Sequence, residues 1–437
     1  MLIKRNHILL QGAVLFSIHA AIAQGINFET ALTWDQVKAK AQKEQKYIFL
    51  DCYATWCGPC KQMDKEVYPS QKVGNFFNEK YISVKVQFDS TKNDDETVRK
   101  WYTIAAQLQQ QYHIKALPTY LFCTPDGKVI NKGLGYKMEK DLIELAANSL
   151  DPAKQYYTQI ETYRSGIKNY PSLAWLANEA QYFGNKALAD TIARDYINNY
   201  LMKLRDERLY TKDNLTFIAF HMSAKDKYFS IFYNNRDRID SVVEKKFFAQ
   251  EVIDAYILNE YIVPYMQKAD SMHSSDIPWE AIEAKLIKNY GRKDAKRNIL
   301  DAKIKWYPNK KNWPMFCKSI IDRMHHRDES VKPSLNQYAW WISQYSNSQK
   351  QLETALNWAD EAIQISNNNG LTPNYTDTKA VLLYKLNRKT EALTTEQKAI
   401  DMASEQRNEY YINEFTNHLS KISKAEPIWE VPLNIVE

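Results

Sequence analysis

The stretch FLDCYATWCGPCK, residues 49–61, decides how the rest of the chain is interpreted. It lies partly in a nearly continuous apolar and aromatic run, residues 47–53, which is typical of a β-strand buried on both faces. Cys57 and Cys60 follow, with only glycine and proline between them, and the charged residues 61–67 favour a helix. The cysteine pair is therefore predicted to lie where a strand ends and a helix begins.

Three roles compete for this cysteine pair. A structural zinc site needs four ligands, yet the chain has no second CxxC, and none of its eight histidines falls within the next 50 residues. A purely structural disulfide that closes so short a loop gains little loop-closure entropy. The third role is thiol redox chemistry, and we predict this one.

The residues around the pair meet the requirements of redox chemistry. A nucleophilic thiol must ionise near neutral pH, although a free cysteine has a pKa of ~8.5. Unpaired N–H groups and the helix dipole at a helix start favour the thiolate of Cys57. Pro59 suits the first helical turn, and Gly58 leaves room for the backbone of a partner. Cys60, one turn along the helix, is close enough to resolve a mixed disulfide.

The flanking sequence predicts an α/β domain over residues 25–150. Pro69 interrupts the first helix, and alternating apolar residues from Ile82 to Phe88 predict a half-buried strand. The remaining predicted elements are a helix over 70–79, a polar helix over 94–112, strands at 117–123 and 129–131 joined by a turn at 125–128, and a helix over 138–149.

Residues 47–135 resemble the thioredoxin superfamily through WCGPC in its strand-to-helix context, HIKALPTY and DGKVINKGLG. The resemblance implies a central mixed sheet flanked by helices. It also implies that Cys57 is an exposed nucleophile and that Cys60 is a buried resolving thiol. Pro118 is expected to follow a cis peptide bond and to face the cysteines, so that nearby backbone groups can pair with an extended substrate strand.

Two further site residues match the family pattern. Asp51 matches a buried carboxylate whose pKa desolvation raises and which relays protons to and from Cys60; the alternative is an aspartate satisfied by backbone donors. Trp56 matches the aromatic residue beside the site; its alternative role is packing, and the two roles are compatible. Cys52 and Cys123 are predicted to be buried small hydrophobes, and nothing in the sequence gives Cys317 a defined role.

Beyond Asp151-Pro152 glycines become rare and helical segments follow one another, which predicts an all-α domain over 152–422 and an extended tail over 423–437. Residues 354–363 and 391–400 align at an offset of 37, matching at their Ala-Leu and Ala-Ile pairs. This stretch resembles the tetratricopeptide repeat. Looser copies lie at residues 182–187 and 290–295.

Residues 1–23 have the organisation of a secretory signal peptide: Lys4 and Arg5, an apolar run, and the small-residue motif Ala21-Ile22-Ala23. The run is about 15 residues long and is interrupted by polar side chains, whereas a bilayer span needs roughly 20, so a retained anchor is the weaker alternative. No later segment approaches that length. We expect an exported chain without a membrane span, periplasmic if the source is a Gram-negative bacterium.

Composition narrows the function classes. The 437 residues are 44% hydrophobic, and 58 basic against 52 acidic residues give a net charge of +6 spread along the chain, unlike the basic footprint of a nucleic-acid binder. No cofactor fingerprint and no metal-ligand motif is present in the sequence. We predict a thiol-disulfide oxidoreductase that reduces protein disulfides and needs an external electron donor, or an oxidant if it runs in reverse. The alternative is a helical-repeat scaffold with an accessory redox domain.

Overall fold

The computed structural model describes residues 25–327, 334–366 and 370–429. The predicted signal peptide lies outside the described residues, as does the end of the predicted tail. The chain divides into two compact units between Tyr200 and Leu201. The predicted domain limits, 25–150 and 152–422, stay a prediction.

The first unit is built on a mixed four-stranded sheet in the order β2-β1-β3-β4. Strand β1 pairs in parallel with β2 and antiparallel with β3, and β3 pairs antiparallel with β4. The strands are β1 (Tyr47–Tyr53), β2 (Tyr81–Gln87), β3 (Thr119–Cys123) and β4 (Val129–Leu134). The predicted mixed sheet flanked by helices is confirmed.

Helices cover both faces of this sheet. Alternate residues of β1 point to opposite faces, so Leu50 joins a core cluster with residues of α1 and α5, while Phe49 joins one with residues of α2, α3 and α6. The helices are α1 (Trp34–Glu44), α2 (Gly58–Glu66), α3 (Gln71–Lys80), α4 (Glu96–Arg99), α5 (Tyr102–Gln111) and α6 (Glu139–Asn148).

Strand β2 is buried on both faces, so the prediction of a half-buried strand is wrong. Every residue of β2 is buried except Lys85, which is half-buried. The reason lies at the edge of the sheet, where Phe28 forms a parallel bridge with Ser83 and Glu29 N–H donates to the Ser83 carbonyl at 2.8 Å. The segment before α1 therefore covers a strand that would otherwise be exposed.

The single polar helix predicted over 94–112 is also wrong, because the structure has two helices there, α4 and α5. Trp101 lies at the break and is 4% exposed. Its ring packs edge-on against Trp34 of α1, with ring centroids 5.9 Å apart. Burial of this large side chain sets the direction in which α5 leaves the break.

Helix α1 was not predicted, although the sequence carries a signal for it. The Thr33 side chain accepts from Gln36 N–H and the Gln36 side chain accepts from Thr33 N–H, a reciprocal capping box. Val37 and Ala41 then face the sheet and are fully buried. The Thr-x-x-Gln spacing before an amphipathic segment could have revealed this helix.

Three further helices complete the first unit. They are α7 (Tyr156–Arg164), α8 (Tyr170–Tyr182) and α9 (Lys186–Asn199), preceded by a 3-10 turn at Pro152–Lys154. Helix α7 packs against β4, and Lys128 in the loop before β4 pairs with Glu161 at 2.6 Å. Gly184, in one of the looser repeat copies, has a φ of 77° at the turn between α8 and α9.

The second unit is helical throughout its described part. Helix α16 is broken at Gly291, in the other looser repeat copy, where φ is 75°. The helices are α10 (Asp206–Leu209), α11 (Lys212–His221), α12 (Phe229–Asn234), α13 (Arg236–Val243), α14 (Phe248–Ile257), α15 (Val263–Ser271), α16 (Trp279–Asn309), α17 (Trp313–His325), α18 (Leu335–Tyr345), α19 (Gln349–Ser366), α20 (Thr372–Lys385), α21 (Lys389–Glu405) and α22 (Glu409–Lys424). A 3-10 turn at Leu201–Lys203 and a π-helical stretch at Leu258–Ile262 accompany them.

The last five helices pack consecutively, each against the next in the chain. Alanines that align in the two repeat copies, Ala355, Ala362, Ala392 and Ala399, are all buried. Small side chains at these positions let neighbouring helices approach closely. No helix in the described residues is long and apolar enough to cross a membrane.

Leu142 provides a test of the core beneath the site. Its side chain is fully buried on α6, in the cluster that also contains Phe49 and Met63. We expect Leu142→Ala to destabilise the first unit by about 2–5 kcal/mol, because it removes buried apolar surface and leaves a cavity. Hydrogen exchange of peptides from α6 and β1 should accelerate, whereas Lys140→Ala, an exposed change on the same helix, should leave it unchanged. Unaltered exchange in Leu142→Ala would contradict this packing.

Candidate active site

The candidate site begins where β1 ends. Cys57 is the N-cap of α2, with an extended backbone, and its Sγ accepts a hydrogen bond from Cys60 N–H at 3.2 Å. Pro59 occupies the first helical turn, where its missing N–H leaves no bond unmade. One of the unpaired N–H groups at the helix start thus points at the Cys57 sulfur, and the dipole of α2 favours negative charge there.

Cys57 and Cys60 form a disulfide, with Cα atoms 5.3 Å apart. Each residue is only 2% exposed, so the expectation of an exposed Cys57 is wrong for this oxidised form. The bond turns the two sulfurs toward each other, and Ala54, Tyr53 and Leu117 pack around them. The backbone just after Cys57 is nevertheless open, since a Cβ on Gly58 would meet no atom within 4 Å.

The aromatic residue beside the pair does not pack into the core. The Trp56 side chain is 71% exposed, which rules out the packing role considered for it. An exposed tryptophan next to a redox pair offers apolar surface to a partner. The Leu117–Pro118 peptide is cis, as the resemblance implied, and it is Leu117 that packs against the cysteines. That Pro118 faces the pair and assists substrate pairing stays a prediction.

Asp51 lies in β1, six residues before Cys57, and is 1% exposed. Burial raises the pKa of Asp51 to about 6, against an opposing effect of the nearby Lys85 ammonium. Its Oδ2 lies 3.5 Å from Lys85 Nζ, while Oδ1 makes no hydrogen bond within the described residues. The alternative of an aspartate satisfied by backbone donors therefore does not hold for Oδ1.

Lys85 is the site residue that sequence reasoning missed. It is the register partner of Asp51 on β2 and also contacts Asp64 of α2. Its ammonium group lies 4.8 Å from the Tyr53 ring centroid and 5.4 Å from that of Tyr68. Lys85 is the only charged residue of β2, which was the available signal, but the alternating pattern placed it toward solvent.

The loop that carries Trp56 is anchored by a second residue that the sequence did not reveal. Both carboxylate oxygens of Asp89 accept from Thr55 N–H, at 3.0 and 3.1 Å, and the Thr55 hydroxyl also donates to this carboxylate. Asp89 lies just beyond β2, so the two neighbouring parallel strands together fix the approach to Cys57. The loop is therefore held at its start by the bonds between Thr55 and Asp89, and at its end by Cys57, which caps α2.

Comparison with known proteins agrees with this geometry. Residues 34–148 match the family model described as a thioredoxin-like domain. Residues 34–148 form a thioredoxin-like domain. The chain is 29% identical over 79 residues to Thioredoxin-1 of Drosophila melanogaster, covering 18% of this chain and 58% of that protein. It is 31% identical over 106 residues to the thiol:disulfide interchange protein DsbD of Yersinia pestis, covering 24% of this chain and 16% of that protein.

A solved structure described as a putative disulphide-isomerase from Bacteroides thetaiotaomicron is 27% identical, covers 30% of this chain and 98% of its own, and gives a TM-score of 0.25. The chain thus spans little more than half of the thioredoxin and about one sixth of the DsbD that it matches. The family match covers residues 34–148.

The other three cysteines are free and buried. Cys52 belongs to the core cluster on the face of the sheet opposite Phe49, as expected, and burial raises its pKa well above the ordinary value. Burial also raises the pKa of Cys123. Cys317, in the second unit, is 2% exposed, and burial raises the pKa of its thiol to about 12. Buried thiols of this kind are poor nucleophiles, so the chemistry of the thioredoxin-like domain rests on Cys57 and Cys60.

The buried carboxyl group makes the stability of the thioredoxin-like domain depend on pH. Since the pKa of Asp51 is about 6 in the folded chain and 3.8 ordinarily, the unfolded chain releases this proton at lower pH. The contribution of Asp51 to the unfolding free energy therefore falls as pH rises from about 4 to about 6, by roughly 3 kcal/mol. We expect Asp51→Asn to remove this dependence. The unfolding free energy of the variant should therefore rise relative to that of wild type across that range.

The measurement is urea unfolding of the oxidised full chain at a series of pH values. Asp64→Asn is the matched control, because it removes a carboxylate from the same lysine while leaving Asp51 in place. If the unfolding free energies of Asp51→Asn and wild type differ by the same amount at every pH, the Asp51 carboxyl group titrates normally.

Proposed function

We propose that this protein is a thiol-disulfide oxidoreductase that reduces disulfides in protein substrates. The observation that carries the proposal is the Cys57–Cys60 disulfide at the start of α2, with an N–H group directed at the Cys57 sulfur. The match of residues 34–148 to the thioredoxin-like domain family supports it. Cys57 acts as the nucleophile and Cys60 as the resolving thiol.

The reaction starts from the reduced pair. The Cys57 thiolate attacks one sulfur of the substrate disulfide, which forms a mixed disulfide and releases one substrate thiolate. The Cys60 thiolate then attacks the Cys57 sulfur, which frees the second substrate thiolate and restores the Cys57–Cys60 disulfide. Two electrons pass from the pair to the substrate.

Asp51 is proposed to take the proton from Cys60 in the second step. With a pKa of about 6, its carboxyl group is mostly ionised at neutral pH yet holds a proton far more readily than an ordinary aspartate. Its unbonded Oδ1 is available to accept that proton. Lys85, at 3.5 Å from Oδ2, keeps the pKa from rising further.

The pair must be reduced again by an external dithiol protein, because the reaction leaves it oxidised. An attacking thiolate has to reach Cys57, whose sulfur is covered while the disulfide is closed. The exposed Trp56 and the open space at Gly58 form the side from which a partner backbone can approach. Gly-Pro between the cysteines is the dipeptide of reducing thioredoxins, and it favours this direction of electron flow.

We further propose that the helical unit selects or positions protein partners and that the chain acts after export, in the periplasm of a Gram-negative source. Consecutive packing of α18 to α22 around buried alanines supports a tetratricopeptide-like arrangement. Stacked helices of this type present extended surfaces on which peptides bind.

The test of the chemistry is reduction of insulin disulfides by the full chain with dithiothreitol as donor. Cys57→Ser should lower the rate to that of dithiothreitol alone, because the proposed nucleophile is lost and the three free cysteines are buried. Cys317→Ser is the matched control and should retain the wild-type rate, since that thiol is buried. If Cys57→Ser reduced insulin at the wild-type rate, the oxidoreductase proposal would be contradicted.

Trapping identifies the substrates and tests the alternative of a scaffold. Cys60→Ser should accumulate covalent adducts through Cys57, because attack proceeds while resolution fails. The double variant Cys57→Ser/Cys60→Ser should accumulate none. If cells that carry Cys57→Ser keep the full biological function, the helical unit is a scaffold and the redox domain is accessory.

A further inference from the structure

Three side chains with metal-binding groups meet inside the second unit, far along the sequence from the cysteines. Asp377 lies on α20, Glu396 on α21 and His418 on α22. They are 2%, 0% and 8% exposed, and one ligand atom from each lies within 4.8 Å of the other two. Three successive helices therefore direct two carboxyl groups and an imidazole to one point.

Glu396 is the unexplained member of this cluster. It is fully buried, and within the described residues neither carboxylate oxygen has a hydrogen-bond partner. A buried polar atom without a partner destabilises a fold, and more so if it is charged. His418 Nδ1 lies 2.6 Å from Asp377 Oδ1, so that pair is satisfied while Glu396 is not.

Within the described part of the chain, the carboxyl groups of the cluster have no balancing cation apart from the His418 imidazole. Among the described residues, no lysine or arginine forms an ion pair with Asp377 or Glu396. Glu414, on the same helix as His418, adds a third carboxyl group close to Asp377. Two buried carboxylates beside each other require either a cation or a shared proton between them.

We propose that Asp377, Glu396 and His418 bind a divalent transition-metal ion of the Zn²⁺ class. One imidazole with two carboxylates is a donor set that suits such ions, and the imidazole favours them over Mg²⁺ and Ca²⁺. In a tetrahedral site with bonds near 2.0–2.1 Å the ligand atoms lie roughly 3.3 Å apart. The three ligand atoms lie within 4.8 Å of one another, so the side chains must adjust to reach that value.

A cavity beside the cluster gives the ion a route in. It has a volume of about 330 Å³, and its lining includes Asp377, Asn336, Asn374, Tyr410 and Glu414. Asn336 Oδ1 is also buried without a hydrogen-bond partner. Asp377 belongs both to the cluster and to the cavity wall, so an ion held there would keep a coordination position for water or for a ligand in the cavity.

The experiment uses the oxidised full chain, in which Cys57 and Cys60 cannot bind metal, after treatment with a chelator. Zn²⁺ alone is added, the chain is separated from free metal, and bound zinc is measured by mass spectrometry together with the thermal midpoint. We expect one zinc per chain and a raised midpoint. Mg²⁺ at the same concentration should give neither.

Two variants distinguish a bound cation from a shared proton as the means by which the buried carboxyl groups are accommodated. Glu396→Gln keeps the size and hydrogen-bonding capacity of the side chain, and His418→Gln removes the imidazole. Each should lower zinc affinity by more than the roughly 10–100-fold typical of losing an outer-shell partner. Glu405→Gln, an exposed change on α21, should bind like wild type. If Glu396→Gln binds zinc like wild type, or if no zinc is retained by the wild-type chain, the cluster is a proton-sharing network and the proposal fails.

A spectroscopic measurement on the wild-type chain covers the case in which the variants do not fold. Co²⁺ in place of Zn²⁺ should show visible d–d bands of a nitrogen and oxygen site with no thiolate charge-transfer band. A thiolate band, or the spectrum of hydrated Co²⁺, would overturn the assignment.

Discussion

The whole site depends on one junction, the point where the buried strand β1 ends and α2 begins with Cys57 as its N-cap. Cys60 N–H donates to Cys57 Sγ, so the helix start and the redox pair are the same structural feature. The sheet fixes that junction because β1 lies between β2 and β3, and every residue of its centre is buried. Asp89 then holds the intervening loop through Thr55.

Burial has two opposite consequences at this junction. It covers both cysteines of the disulfide, while Trp56 and Gly58 on either side of Cys57 stay exposed. It also raises the pKa of Asp51, in the strand that precedes the pair, to about 6, with Lys85 as the counter-charge. The sulfurs are covered, and the nearby carboxyl group titrates near neutral pH. These two features are consistent with a reaction that begins when a partner docks and displaces the residues packed around the disulfide.

The sequence motifs were sufficient to predict the sheet, the helix that begins at the cysteines and the two redox residues, because these features depend on local pattern and spacing. Lys85, Asp89 and the Glu396 cluster could not be predicted, since each acts through a partner distant in sequence whose position only the packing decides. Exposure of Cys57 was predicted wrongly because the disulfide directs its sulfur toward Cys60, and Ala54, Tyr53 and Leu117 pack around the pair. The burial of β2 was missed because the covering segment around Phe28 has no strand pattern of its own.

The most direct test of the account is the pH dependence of Cys57 alkylation in the reduced full chain. Iodoacetamide should modify Cys57 alone, and the rate should rise with an inflection well below the ~8.5 of a free cysteine, because the start of α2 stabilises the thiolate. An inflection at or above that value, or a Cys57 that stays unmodified after reduction, would contradict the claim that this helix start activates the sulfur.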